Sequence, residues 1–279
     1  MNKSNKCLLF EKNMLSYYVT WGLFMMKVTN IKESLIEQKS NKVCGNLYYA
    51  SQVYFTYNSN KMEGSRLSEE QMASIFETAS FVANKNDEIL IDDVIELRNH
   101  FLLFDYVLDN INTPLTEDMI IKMNTILKTG TNFALNPACN VGGYKNTANV
   151  IGGSVGTRTT PPSKVKSNMS KLLKQYNSLK KVTLEDIIDF HVSFERIHPF
   201  EDGNGRVGRI IMFKECLKHN IVPFIILDKF RPFYLNGLRQ YKEEKGYLIE
   251  TCKECQYYYH QLCNKLLDKE NNEVRKRTK

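Results

Sequence analysis

Apolar residues recur at three- and four-residue steps along most of the 279-residue chain. That spacing restricts it to helices packed against one another. The run Asp92-Asp93-Val94-Ile95-Glu96-Leu97-Arg98-Asn99-His100-Phe101-Leu102-Leu103-Phe104-Asp105-Tyr106-Val107-Leu108 shows the pattern most fully, and acidic residues open it, as the helix dipole prefers. Thr116-Glu117-Asp118 predicts a capped helix to about Leu127, ended by Gly130. Ser68-Glu69-Glu70 starts another, through about Phe81. Thr183-Leu184-Glu185-Asp186 starts one that carries Ile187, Ile188, Phe190, His191 and Phe194. Further helices fit residues 163–178, 206–219, 231–244 and 247–269. Only residues 141–162 break the pattern, with Gly142-Gly143, Gly152-Gly153, Gly156 and Pro161-Pro162 around Ala148, Val150 and Ile151. Alternation there predicts a short hairpin, and one hairpin on a helical body suggests a functional flap.

Composition narrows the function classes. Only 14 glycines and 7 prolines argue against a collagen-like, linker-rich or many-turned β chain. A mean hydropathy of −0.39, with no apolar run near the roughly 18 residues a bilayer span needs, excludes an integral helical membrane protein from expectation. The formal net charge of +7 suits a polyanionic ligand such as a nucleotide. The 31 acidic residues are mixed with the 38 basic ones, so no nucleic-acid partner is expected. Seven irregularly spaced cysteines fit free thiols in a cytoplasmic setting. Met14–Met26 imitates a signal-peptide core but lacks a small-residue cleavage site. It reads as an N-terminal extension packed on the body, with Met26 an equally good natural start. The basic tail Val274–Lys279 reads as a solvated terminus.

Chemistry concentrates in His198-Pro199-Phe200-Glu201-Asp202-Gly203-Asn204-Gly205-Arg206-Val207-Gly208-Arg209, which joins two predicted helices. Pro199 stops the first, because the residue before a proline avoids the α region. Gly203 and Gly205 let the backbone turn so that successive N–H groups converge. The following helix directs its free N–H groups and positive dipole end into that turn, which makes an anion site. Arg206 and Arg209 lie three residues apart and extend toward the same polyanion. Asp202 is a hard oxygen ligand where a phosphate-bound Mg²⁺ would be held. His198 titrates nearest neutrality and is the natural general base. Gly203–Gly208 also matches G-x-G-x-x-G, and Asp228 stands about 20 residues on. A dinucleotide fold is rejected, because no buried strand precedes these glycines and the chain lacks alternating strands.

The same segment resembles the Fic signature, His-Pro-Phe-x-[Asp/Glu]-Gly-Asn-[Gly/Lys]-Arg-x-x-Arg, at every specified position. The similarity spans about residues 45–245. It implies a mainly α fold, a helical bundle core with a short β-hairpin flap, and transfer of AMP from ATP to a protein hydroxyl. By position it implies His198 as the base that deprotonates a Ser, Thr or Tyr hydroxyl and Asp202 as the Mg²⁺ ligand. Gly203, Asn204 and Gly205 are implied as the phosphate cradle, with Arg206 on the β-phosphate and Arg209 on the γ-phosphate. Phe200 is similar to the family's buried loop anchor.

Three further stretches carry the resemblance. Ser59-Asn60-Lys61-Met62-Glu63-Gly64 resembles the family's inhibitory pattern. It implies an inhibitory helix at about 49–63, with Glu63 paired to Arg209 in the place of the γ-phosphate and Ser59 part of the same device. Tyr144-Lys145, Val150-Ile151-Gly152-Gly153 and Pro161-Pro162 resemble the flap, at about 141–162. A target segment would dock there, with Ile151 and Gly152 near the nucleotide. Arg231-Pro232-Phe233-Tyr234-Leu235-Asn236-Gly237-Leu238 is similar to a helix whose tyrosine, here Tyr234, lines the adenine pocket. Lys242 stands where some members place an Asn toward the base, so nucleotide selectivity beyond ATP stays open.

The chain is thus expected to comprise an extension (1–44), a Fic core (45–245) and a C-terminal helix with a basic tail (246–279). The expected activity is a self-inhibited, Mg²⁺-dependent protein adenylyltransferase, with homo-oligomerisation left open. One alternative is removal of AMP, or use of another nucleotide, on the same fold. A second is a non-catalytic nucleotide-binding regulator. Cys252-x-x-Cys255 with His260 and Cys263 resembles a zinc knuckle, but helical packing of free thiols is the preferred reading. Structural roles are expected for His100, His191 and His219.

Overall fold

A computed structural model describes residues 28–41, 43–83, 88–151 and 157–277. In chain order these form α1 (Val28–Asn41), α2 (Leu47–Met62), α3 (Glu69–Thr78), α4 (Ile91–Asp109), α5 (Glu117–Lys128) and the short α6 (Asn132–Leu135). Strands β1 (Val150–Ile151) and β2 (Thr157–Arg158) come next, then α7 (Pro162–Asn177), α8 (Leu184–Ile197) and α9 (Asn204–Lys218). A 3₁₀ turn (Asp228–Phe230), α10 (Arg231–Gln240) and α11 (Lys245–Arg277) complete the described chain.

The expected start signals hold in detail. Thr116 Oγ1 accepts from the Met119 N–H at 3.1 Å. Ser68 with Gln71, and Thr183 with Asp186, form reciprocal capping boxes at the starts of α3 and α8. α3 ends at Thr78, short of Phe81, because Ala79 takes a left-handed conformation (φ 55°) and closes the helix. α11 runs beyond residue 269, to Arg277.

At the centre lies α9, with thirteen of its fifteen residues buried. A helix buried all round is a hub, not a surface element. α8 packs along it, and α2, α4 and α5 also pack against it. Ile31 and Leu35 of α1, and Leu248, Cys252, Cys255, Tyr259, Cys263 and Leu267 of α11, enter the same continuous core. The boundaries at 45 and 245 therefore do not separate packing units, since both flanking segments supply core side chains. Met14–Met26 and the rest of residues 1–27 lie outside the described residues.

The only ladder among the described residues is antiparallel and two residues long, with Val150 opposite Arg158 and Ile151 opposite Thr157. That is much shorter than a hairpin over 141–162, because residues 141–149 form turns. Gly152 and Gly153 lie outside the described residues. No described helix is long and apolar enough to cross a membrane.

Candidate active site

The loop between α8 and α9 is shaped by its own sequence. His198 caps α8 in the left-handed region (φ 52°, ψ 64°), and its N–H donates to the Phe194 carbonyl at 2.8 Å. Phe200 is 1% exposed and packs against Tyr144 and Phe194. Asn204 clasps that anchor from both sides: its Oδ1 accepts from the Phe200 N–H and its Nδ2 donates to the Phe200 carbonyl, each at 2.9 Å. Asn204 therefore holds the loop with its side chain and leaves its backbone N–H, at the start of α9, for an anion. Gly203 has φ 84°, and a Cβ there would meet Asn124 Nδ2 at 2.8 Å, so only glycine fits. Asn124 Nδ2 also donates to the Asp202 carbonyl at 2.9 Å. No side chain caps α9, so its first-turn N–H groups face the loop without an intrahelical acceptor.

Both arginines are buried and already engaged. Arg209 Nη2 donates to Glu63 Oε1 at 2.6 Å and to the Ser59 carbonyl at 2.9 Å, and its Nε donates to Ser59 Oγ at 3.0 Å. Glu63 is the C-cap of α2. A Cβ on Gly205 would lie 2.5 Å from Glu63 Oε1 and 2.8 Å from Arg209 Nη1, so glycine admits this ion pair over the α9 N-terminus. Burial raises the Glu63 pKa, but Arg209 and Arg206 outweigh it and hold the carboxylate below its ordinary range. Arg206 pairs with Glu96 and, at 3.3 Å, with Asp202 Oδ2. Lys128 of α5 bridges Glu96 and Asp202. Burial also opposes ionisation of Asp202, and Arg206 and Lys128 more than offset it. A cavity of about 170 Å³ opens here, lined by Asn60, Glu63, Asp93, Glu96, Asp202 and Arg206 among others.

Behind the loop, α8 presents Glu195 to two histidines. Its Oε2 lies 3.9 Å from His198 Nδ1 and its Oε1 lies 4.0 Å from His191 Nε2. Burial pushes Glu195 up to about 7, against Arg209, which favours the carboxylate. Burial first, then the Lys145 ammonium, lowers His198 to about 4, so its imidazole is neutral near pH 7. Burial brings His191 to about 3, and its Nε2 hydrogen-bonds the Tyr234 hydroxyl at 2.6 Å. Tyr234 is 1% exposed, which leaves no ring face for a base to stack on. Its hydroxyl buttresses His191.

Asp202 suits a phosphate-bound Mg²⁺. Its side chain is 44% exposed, Oδ1 accepts only the adjacent Gly203 N–H at 2.7 Å, and one carboxylate with phosphate oxygens is a usual Mg²⁺ arrangement. Among the described residues no group of three or more His, Cys, Asp or Glu side chains forms a metal cage. Cys252, Cys255 and Cys263 are buried in α11, and burial raises all three thiols. His100 is buried and meets Asn60 Nδ2 at 3.1 Å.

Four residues beside the site were not singled out from the sequence: Glu96, Asn124, Lys128 and Glu195. Glu96 and Lys128 are ordinary charges on amphipathic helices and read as solvated. Only Glu195, three residues before His198, had a positional signal, because that spacing places it on the same helix face.

Residues 114–216, from the turn before α5 through most of α9, match the model of the Fic/DOC family. Over those residues the chain carries a Fic domain. It is 31% identical over 110 residues to a probable protein adenylyltransferase of Aquifex aeolicus, across 39% of this chain and 33% of that protein. It is 27% identical over 193 residues to the protein adenylyltransferase Fic of Drosophila grimshawi, across 66% of this chain and 36% of that one. The chain thus spans about a third of the length of these curated relatives. The crystal structure of a Fic domain containing signaling protein from Bacteroides thetaiotaomicron superposes with a TM-score of 0.69 at 22% identity, covering 86% of this chain and 95% of that one. That likeness shows a mainly helical Fic fold. Glu63 and Ser59 lie outside the stretch matched by the family model.

Proposed function

We propose that this Fic protein is a self-inhibited protein adenylyltransferase that moves AMP from ATP to a Ser, Thr or Tyr hydroxyl of a target protein. One observation carries the reading: a neutral, partly buried imidazole, an ionised carboxylate, two buried guanidiniums and the open N-terminus of α9 meet in one loop, and Glu63 sits on one of those guanidiniums. Transfer of this kind needs positioning and charge stabilisation more than covalent help from the protein. His198 accepts the proton of the incoming hydroxyl. The first-turn amides of α9 and Arg206 bind the α- and β-phosphates, and Arg209, once released, binds the γ-phosphate. Asp202 would hold Mg²⁺, whose positive charge would offset that of the leaving pyrophosphate. Lys128 and Glu96 orient Asp202 and Arg206 by sharing their charges. The segment around β1 and β2 is the docking edge for an extended target strand.

Glu63 occupies the Arg209 fork, so ATP binds with its γ-phosphate displaced until the carboxylate leaves. The test is incubation of the purified protein and its Glu63→Gly variant with α-labelled ATP and lysate. Label on protein, stronger in Glu63→Gly, is the expected result. Release of AMP from previously labelled protein, without forward transfer, would point to the reverse reaction. ATP binding with neither reaction would point to a nucleotide-binding regulator.

A further inference from the structure

Lys145 is 2% exposed and grips the backbone on both sides of His198. Its N–H donates to the Pro199 carbonyl at 2.8 Å, and its Nζ reaches the Ile197 carbonyl at 3.4 Å. The same Nζ donates to Asn149 Oδ1 at 2.7 Å and Thr159 Oγ1 at 2.6 Å, residues that flank the two strands. Asn149 Nδ2 donates to the Phe200 carbonyl at 3.0 Å, and Glu201 Oε1 accepts from the Asn146 N–H at 2.6 Å. One buried ammonium therefore ties the strand pair to residues 197–200. His198 needs such a tie, because a left-handed conformation is unfavourable for a non-glycine residue and persists where its surroundings hold it.

The geometry points to Lys145 as a positioning residue that holds His198 in its left-handed conformation and links the strand pair to the base. Its catalytic consequence rests on the adenylyl-transfer reading; its structural consequence does not. The Lys145 ammonium also disfavours a second positive charge on the imidazole, behind burial in size. The backbone of Glu195 and the carboxylates of Glu63 and Asp202 act in the opposite sense on His198. Burial lowers Lys145 itself to about 8, against Glu201, so it carries its charge at neutral pH. A target strand docked at β1 and β2 would shift Asn149 and Thr159, and through Lys145 the base.

The experiment follows His198 by NMR in the full chain with labelled histidine, its signal assigned by loss in His198→Gln. In Lys145→Met the His198 midpoint should climb from about 4 toward the ordinary 6.5. In the Glu63→Gly background, Lys145→Met should lower kcat about 10²-fold, the scale of misplaced reacting groups, with ATP Kd within about twofold. Lys145→Arg, which keeps the charge, should hold the midpoint low and recover at least about a tenth of the rate. An unmoved midpoint in Lys145→Met, or a loss confined to ATP affinity, would overturn the proposal. Should Lys145→Met fail to fold, the double variant Asn149→Ala with Thr159→Val removes the strand-side partners and keeps the lysine. It should lower kcat at least about fivefold at unchanged ATP affinity, and an unchanged kcat would overturn the link. Absence of transfer from Glu63→Gly with Lys145 intact would refute the proposed activity, while the His198 titration would still decide the role of Lys145.

Discussion

Arg209 Nη2 and Glu63 Oε1 stand 2.6 Å apart across 146 residues of chain. The contact joins the end of α2 to the first turns of α9, and Ser59 adds two more hydrogen bonds to the same guanidinium. A γ-phosphate and the Glu63 carboxylate are both anions that suit this fork, so under the proposed function the two would compete for it. Charge-assisted contacts of this type contribute on the order of 1.5–3 kcal/mol.

Glu63→Gly should therefore raise auto- or target modification by at least about tenfold, the equivalent of about 1.4 kcal/mol. Adding Arg209→Ala should cancel much of the gain, since under the proposed function the freed arginine would orient the γ-phosphate. Labelled-ATP incorporation at saturating ATP measures both. An unchanged rate in folded Glu63→Gly would reduce residues 59–64 to a helix end.

His198→Ala should abolish transfer and leave ATP binding within about twofold, because in the proposed role the imidazole would act on the hydroxyl and not on the phosphates. A general base contributes about 10²–10⁴-fold. Calorimetry for binding and label incorporation for rate separate the two effects. Near-parental turnover would remove His198 from the role of base.

Asp202→Ala should lose Mg²⁺-dependent tightening of nucleotide binding, and chelator should stop transfer in the parent protein. Titration of ATP with and without Mg²⁺ provides a readout apart from activity. Equal affinity under both conditions in the parent would sink the metal assignment.

Stability should rise with pH between about 5 and 6.5. Burial lowers His100, His191 and His198 in the folded state, the last two to about 3 and 4. Below 6.5 the unfolded chain gains protons that the folded chain refuses, so acid favours unfolding. Each such histidine contributes up to about 1.4 kcal/mol per pH unit. Glu195 acts oppositely: raised to about 7, it keeps a proton in the folded state that the unfolded chain sheds above about 4.5. Three histidines outweigh one glutamate, and Glu195→Gln should steepen the rise. Urea midpoints at pH 5 and 6.5 give the slope; a flat or falling one would contradict these shifts.

Helical class, most helix starts and the whole loop from His198 to Arg209 are legible in the sequence because their causes are local. Thr116, Ser68 and Thr183 cap helices within three residues of themselves, and Pro199 and Gly203 bend one short segment. Chemistry contiguous in the chain is readable there. Glu63 is readable only through its resemblance to a motif, since nothing local distinguishes it from any other helix-end carboxylate.

Partners brought in from other helices were decided by packing. Glu96 and Lys128 are separated by 32 residues, and Lys128 and Asp202 by 74; Glu96 and Lys128 read as solvated charges until α4 and α5 close against α9. Tyr234 and Asn204 turn their polar atoms inward because buried donors and acceptors must find partners, here His191 and the Phe200 backbone. Lys145 likewise spends its ammonium on Ile197, Asn149 and Thr159. Periodicity and turn residues follow from the chain's own stereochemistry, but which side chains lose water depends on contacts between segments distant in sequence. The sequence alone therefore determined the helices and the reactive loop, and only the tertiary structure decided which charges are buried together and so which groups control the base and the arginines.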